Sequence, residues 1–133
     1  MRIIVDTNVI LDFLLSREPH MANARELFMM ISQERVEAYI TASSVTDVYY
    51  VIAKRLGDGT ARESVGHLLN MLRVIAVDGD DCISALDLPI ADFEDALVTV
   101  CANREDINYI VSNDREFLKV DASLISVIST RLK

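Results

Sequence analysis

Apolar and polar positions change period several times along this chain, and each change marks an element. Arg2 to Val5 is a short apolar run that reads as a buried strand. From Asn8 to Leu15, Val9, Ile10, Phe13 and Leu14 recur at helical spacing until Arg17-Glu18-Pro19 stops the stripe. Met21 to Gln33 carries Ala24, Leu27, Phe28 and Ile31 at the same period and predicts a second helix. Val36 to Thr41 is a second strand. Ser43 or Ser44 then offers an N-cap for a helix to about Leu56, with Val45, Val48, Val51 and Ile52 facing inward. Gly57-Asp58-Gly59 ends that helix, and Thr60 caps the next one, to about Leu72. Arg73 to Val77 is a third strand, with Asp78-Gly79-Asp80 as turn and cap. A short helix from Asp81 to Leu86 precedes Pro89, and Asp92 opens a helix to about Arg104. Asn108 to Ser112 and Leu124 to Ile128 are the fourth and fifth strands.

Strands alternating with helices predict an α/β fold with a central parallel β-sheet, right-handed crossovers and helices on both faces. No repeat, linker or low-complexity tract divides the chain, so residues 1–133 form one domain. A composition 51% hydrophobic and 26% charged is that of a globular protein able to bury a core. No apolar stretch approaches the roughly 20 residues that span a bilayer. The first apolar run breaks at Asp6, unlike a secretory signal. Cys82 and Cys101 lack short metal-type spacing and read as buried free thiols, which suits a reducing cytoplasm. Thirteen Lys and Arg against 21 Asp and Glu leave a net charge of -8, which argues against a broad electrostatic grip on nucleic acid. It leaves room for a local basic rim and favours a basic partner.

Against this background four aspartates stand out. Asp6 follows the first strand, Asp47 lies in the helix after the second, Asp95 begins a later helix, and Asp114 follows the fourth strand. The carboxyl ends of parallel strands share one rim, where sites are built, so these acids can meet. Uncompensated carboxylates about 4 Å apart repel by roughly 1 kcal/mol in water and about 4 near a protein surface. A hard divalent cation with oxygen ligands is the simplest remedy. Each acid also has a structural explanation: Asp6 as N-cap, Asp114 as turn former, Asp47 as a first-turn acid facing the helix dipole. Asp92 and Asp95 are spaced like a capping box with Asp in place of Glu. The joint arrangement carries the metal reading. His20 and His67 have no partner at ligand spacing, and no nucleophilic triad or glycine-rich phosphate loop is present.

The residues Ile4-Val5-Asp6-Thr7-Asn8-Val9-Ile10-Leu11-Asp12, Ser44-Val45-Thr46-Asp47-Val48-Tyr49-Tyr50, Asp92-Phe93-Glu94-Asp95-Ala96-Leu97 and Ile110-Val111-Ser112-Asn113-Asp114-Arg115-Glu116-Phe117 together resemble the PIN-domain nucleases. Within them the chain is similar to single-domain toxins of prokaryotic toxin–antitoxin pairs. The resemblance spans essentially the whole chain. It implies a PIN-like α/β/α sandwich and a ribonuclease dependent on Mg2+ or Mn2+, leaving 5′-phosphate and 3′-hydroxyl ends. It places Asp6, Asp95 and Asp114 at the family's metal positions and Asp47 at the remaining acidic one, with Asn8 and Ser112 in support. Two positions depart from the family pattern: Asp47 stands where Glu is usual, and Glu116-Phe117 where Asp-Phe is usual.

The implied chemistry is phosphodiester hydrolysis, in which metal ions activate water and offset phosphate charge. Arg17, Lys54, Arg55 and Arg115 are candidates for phosphate contacts, although solvated charge is the favoured explanation for each. A haloacid-dehalogenase-type phosphatase would need an acid where Asn8 stands. A non-catalytic PIN-like module binding RNA or protein would have little need of four acids. The expected partners are RNA, an antitoxin protein and a second copy of the chain, with Phe13, Leu14 and Phe28 as exposed contact candidates and no membrane involved.

Overall fold

The computed structural model describes residues 1–130. Five strands, β1 (Arg2–Val5), β2 (Glu37–Thr41), β3 (Arg73–Ile75), β4 (Tyr109–Val111) and β5 (Val127–Ile128), form one sheet in the order β3-β2-β1-β4-β5. Every pairing is parallel, so each return passes through a helical connection. The helices are α1 (Thr7–Leu14), α2 (Met21–Ser32), α3 (Ala42–Leu56), α4 (Asp58–Met71), α5 (Gly79–Leu86), α6 (Phe93–Arg104) and α7 (Arg115–Leu118).

Side chains on a strand alternate between faces, and the two faces build two cores. Ile3, Val5, Ala38, Ile40 and Val111 pack with Val9, Phe28, Val48, Ile52 and Leu68 of α1 to α4. Ile4, Tyr39, Ile75 and Ile110 pack with Val98, Cys101 and Ala102 of α6 and Phe117 of α7. A smaller group, Ala85, Ala96 and Leu97, joins α5 to α6. This is the expected α/β/α sandwich around a parallel sheet.

The chain winds from β1 through β2 to β3, then crosses β1 and resumes with β4 and β5 on its other side. The reversal lies between β1 and β4, where the carboxyl ends of two strands open a crevice. The register pairs Val5 with Val111, which sets Asp6 and Ser112 side by side at the mouth of that crevice. The Asp6 amide donates to the Val111 carbonyl at 2.9 Å and extends the pairing by one residue.

Several local expectations change. Thr41, the last residue of β2, caps α3 and accepts from the Ser44 amide, in place of Ser43 or Ser44. Helix α3 therefore starts at Ala42, and Asp47 lies in its second turn rather than its first. Gly57, at φ 91°, joins α3 to α4, so Thr60 is inside α4 and caps nothing. A positive φ strains any residue with a Cβ, which explains glycine there. Phe28 is not an exposed contact residue: it is 1% exposed and stacks on Phe13 with ring centroids 4.2 Å apart. Phe13 and Leu14 are half-buried against the same core. Cys101 is buried and Cys82 half-buried, both as free thiols.

Because Phe28 fills the space between α1, α2 and the sheet, Phe28→Ala is expected to cost about 3–5 kcal/mol of stability. Urea unfolding monitored by circular dichroism measures this, and a loss below about 1 kcal/mol would mean the stack is not a core contact.

Candidate active site

Asp6 ends β1 and caps α1. Its backbone is extended (φ -67°, ψ 150°), and its Oδ1 accepts from the Thr7 amide at 2.9 Å. Its Oδ2 accepts from the Ser112 hydroxyl at 2.8 Å. Ser112 is fully buried beyond β4 and also accepts from the Asp114 amide at 3.1 Å. One serine therefore ties the ends of two neighbouring strands together, fixing an Asp6 oxygen and the backbone of Asp114 from a single atom. Asp114 caps α7 through the Glu116 amide at 2.9 Å.

Asp92 caps α6, accepting from the Asp95 amide at 3.0 Å. No return bond from the Asp95 carboxylate to the Asp92 backbone occurs among the described residues, unlike the complete capping box of Asp78 and Asp81 on α5. Asp92 does the capping, and the half-buried Asp95 carboxylate is left to face the rim. Asp95, Asp92, Asp114, Pro89, Ile90 and Lys119 are among the residues lining a cleft of about 400 Å³.

Electrostatics link these groups. Burial, reinforced by Asp114 and Asp92, lifts the Asp6 carboxyl above the usual carboxylate range, although the bonds from Ser112 and Thr7 oppose the rise. Asp95 is pushed up to about 7, first by burial and then by the charges of Asp92, Asp6 and Asp114. Glu94, one residue earlier, is pushed up to about 8, chiefly by a hydrogen bond with the Asp47 carboxyl. Burial and the charges of Asp47, Asp6 and Asp92 add to that rise.

Three of the four expected acids, Asp6, Asp95 and Asp114, thus lie within electrostatic reach of one another at the reversal point. Asp47 acts on Glu94, a residue whose part in the site the sequence left open together with those of Asp92 and Glu116. Asn8 is exposed in the first turn of α1, where its backbone carbonyl accepts from Arg17 at 3.2 Å. That guanidinium is also held by the buried Asp12 at 3.0 Å, so Arg17 is a tethered cation rather than a freely solvated one.

A family model described as a PIN domain matches residues 2–116. The chain belongs to the PIN-domain family. Ribonuclease VapC1 of Aquifex aeolicus (strain VF5) is 25% identical over 130 residues, spanning 94% of this chain and 90% of that protein. Among solved structures, VapBC2 of Rickettsia felis bound to a promoter DNA fragment aligns with a TM-score of 0.71 at 15% identity, covering 97% of this chain and 98% of that one. Mycobacterium tuberculosis VapC20, a toxin that cleaves the sarcin–ricin loop, aligns with a TM-score of 0.69 at 16% identity, covering 86% and 92%. These likenesses show that the chain has the PIN-type fold.

The donor set of this PIN domain suits a hard divalent cation, being made of carboxylates alone. Two observations fit an ion. The Asp47–Glu94 contact needs a proton or a cation to be stable. The Thr7 hydroxyl, beside Asp6, is buried without a hydrogen-bond partner among the described residues, at a cost of about 1–3 kcal/mol. As placed, no three acidic, histidine or cysteine side chains among the described residues are gathered closely enough to hold an ion.

The raised acids give stability a definite pH dependence. Asp6, Asp95 and Glu94 bind protons more readily folded than unfolded, so they favour the folded state below pH about 4. That contribution is lost as pH rises through about 7 to 8. The metal-free protein should therefore melt at a lower temperature at pH 8.5 than at pH 6, and Asp95→Asn should shrink the difference. Calorimetric melting across that range checks both, and a rising melting temperature would contradict the assignment.

Proposed function

We propose that this chain is an endoribonuclease that uses Mg2+ or Mn2+, and that it is the toxin of a toxin–antitoxin pair. The observation that carries the reading is that Asp6, Asp95 and Asp114 raise one another's charge cost near the reversal point of a PIN-family sheet. The similarity to the Aquifex ribonuclease, to the toxin VapC20 and to a toxin–antitoxin complex from Klebsiella pneumoniae supports it.

Asp6, Asp95 and Asp114 would hold the ion, with Asp47 as the fourth acid. When bound, the cation would lower the pKa of a water and offset charge on the phosphate and the leaving oxygen. Ser112 holds Asp6 in one orientation through its hydroxyl and so preserves the geometry between turnovers. Asn8, in the first turn of α1, would support the site. A carboxylate that is not fully engaged takes the proton from the attacking water. Arg17, held by Asp12, would contact the RNA backbone without having to be ordered first. The overall charge of -8 makes a basic antitoxin the natural complement, and a homodimer would pool the few basic residues. No described helix is long and apolar enough to cross a membrane. The free thiols suit the cytoplasm.

Purified protein with Mn2+ is expected to cut single-stranded or structured RNA, and chelation to abolish cutting. Asp95→Asn should lower the rate by about 100-fold or more, the scale set by removing one charge-stabilising group. Asp92→Asn should leave most activity, because Asn caps a helix about as well as Asp. Uncut RNA under all conditions would favour a non-catalytic module that binds RNA or protein. Equal loss from Asp92→Asn would reverse the assignment of cap and ligand.

A further inference from the structure

We propose that Tyr50 and Lys54, on the outer face of α3, form a subsite that stacks a base of single-stranded RNA beside the acidic rim and holds its phosphate. The inference rests on the ribonuclease reading above and adds to it a binding surface outside the acids.

Helix α3 starts directly after Thr41, the last residue of β2, so its N-terminal end stands at the carboxyl rim of the sheet. Residues three and four apart share a helix face, which puts Asp47, Tyr50 and Lys54 in one row leading away from that rim. At about 1.5 Å per residue, Tyr50 lies about 4.5 Å and Lys54 about 10.5 Å beyond Asp47 along the axis. With stacked nucleotides about 3.4 Å apart, that is a reach of roughly one to three nucleotides. Val48 and Ile52 take the opposite face of the helix into the core, which leaves Tyr50 and Lys54 to solvent.

Tyr39 is buried and bonded to Glu37, and Tyr49 is bonded to Asp58. Tyr50 has neither kind of anchor: it is 64% exposed, and its hydroxyl makes no hydrogen bond among the described residues. The Lys54 ammonium lies 5.6 Å from the ring centroid, a cation–π contact that steadies the ring while most of its surface stays open. Long side chains on a helix lean toward its N-terminus, so Lys54 covers the ring from the far side and the ring leans toward the rim.

Charge singles out the same place. Arg17, Arg62, Arg73, Arg104 and Lys119 are each paired with a carboxylate, whereas Lys54 has no acidic partner among the described residues. The helix dipole explains a cation in the last turn of α3, but not a bare aromatic ring one turn before it. An aromatic platform for a base with a cation for the backbone is the pairing that single-strand binding uses. A protein partner would call for a contiguous apolar surface, and the row gives one ring between a carboxylate and an ammonium.

The test is fluorescence anisotropy of a labelled oligoadenylate of about 12 nucleotides, with Mn2+ and in the Asp95→Asn background to slow cutting. Tyr50→Ala should weaken binding by about 5-fold or more, and Tyr50→Phe should bind like the background. An abasic oligonucleotide of the same length should bind equally with and without Tyr50→Ala. Lys54→Gln should weaken both probes and reduce the slope of log affinity against log salt by about 0.7, the share of one phosphate contact. Unchanged melting temperatures control for folding, since both side chains are exposed. Background-like oligoadenylate affinity in Tyr50→Ala would overturn the subsite, and equal losses on the adenylate and abasic probes would overturn base stacking. Unchanged RNA affinity with lost self-association by light scattering would assign this face to a second copy of the chain instead. Absence of Mn2+-dependent cutting by the unsubstituted chain would overturn the ribonuclease reading itself, a result separate from any of these.

Discussion

Negative charge collected at one rim of a sheet without its own counter-charge is the constraint around which this molecule is organised. Asp6 is buried to 7% exposure, and Asp92, Asp95, Glu94 and Asp114 surround it within electrostatic range. Such an arrangement survives only where something offsets it. Part of the offset comes from the backbone. Asp6, Asp92 and Asp114 each cap a helix, so three helix N-termini and their free amides point at the same region. Capping and metal binding are not rival explanations of these aspartates. The same side chains that close the helices are those whose charge the helices partly neutralise, and the remaining charge is what a cation would balance.

Topology makes that convergence unavoidable. In a parallel sheet every strand delivers its carboxyl end to one edge, and every following helix starts there. The order β3-β2-β1-β4-β5 puts the crossing point between β1 and β4. Asp6 and Ser112 lie one residue past paired positions, and α6, which leads into β4, opens above them. Ser112 then joins the two strand ends with two hydrogen bonds to one hydroxyl. The result is a rigid floor carrying side chains that repel one another.

Much of this was legible in the sequence because strong local signals and the global fold agree. Val5-Asp6 and Ser112-Asn113-Asp114 combine a buried apolar run with an abrupt acid, and both sit where a parallel sheet requires a strand end. Strand and helix identities followed from the same periodicity. The misreadings have specific causes. Ser43 and Ser44 are good caps in isolation, but Thr41 already stands at the end of β2 with an extended backbone and takes the role first. That shift of one or two residues moves Asp47 down a turn. Phe28 shares a helical stripe with Leu27, and the stripe alone does not tell which of the two faces the sheet; its stacking on Phe13 does. The part of Glu94 stayed open in the sequence, since its distinction is the influence of Asp47, 47 positions earlier, which no local pattern encodes.

The central claim is that a cation entering this rim displaces protons from carboxyl groups whose pKa values are raised. Titration calorimetry of Mn2+ binding at pH 7, repeated in buffers of different ionisation enthalpy, counts the protons released as the ion enters. With Glu94 near 8 and Asp95 near 7, about one proton or more should leave per ion at pH 7 and almost none at pH 9.5. Mn2+ binding at pH 7 with no proton release would contradict it, because the acids would then already be ionised and the rim would not be waiting for a counter-charge.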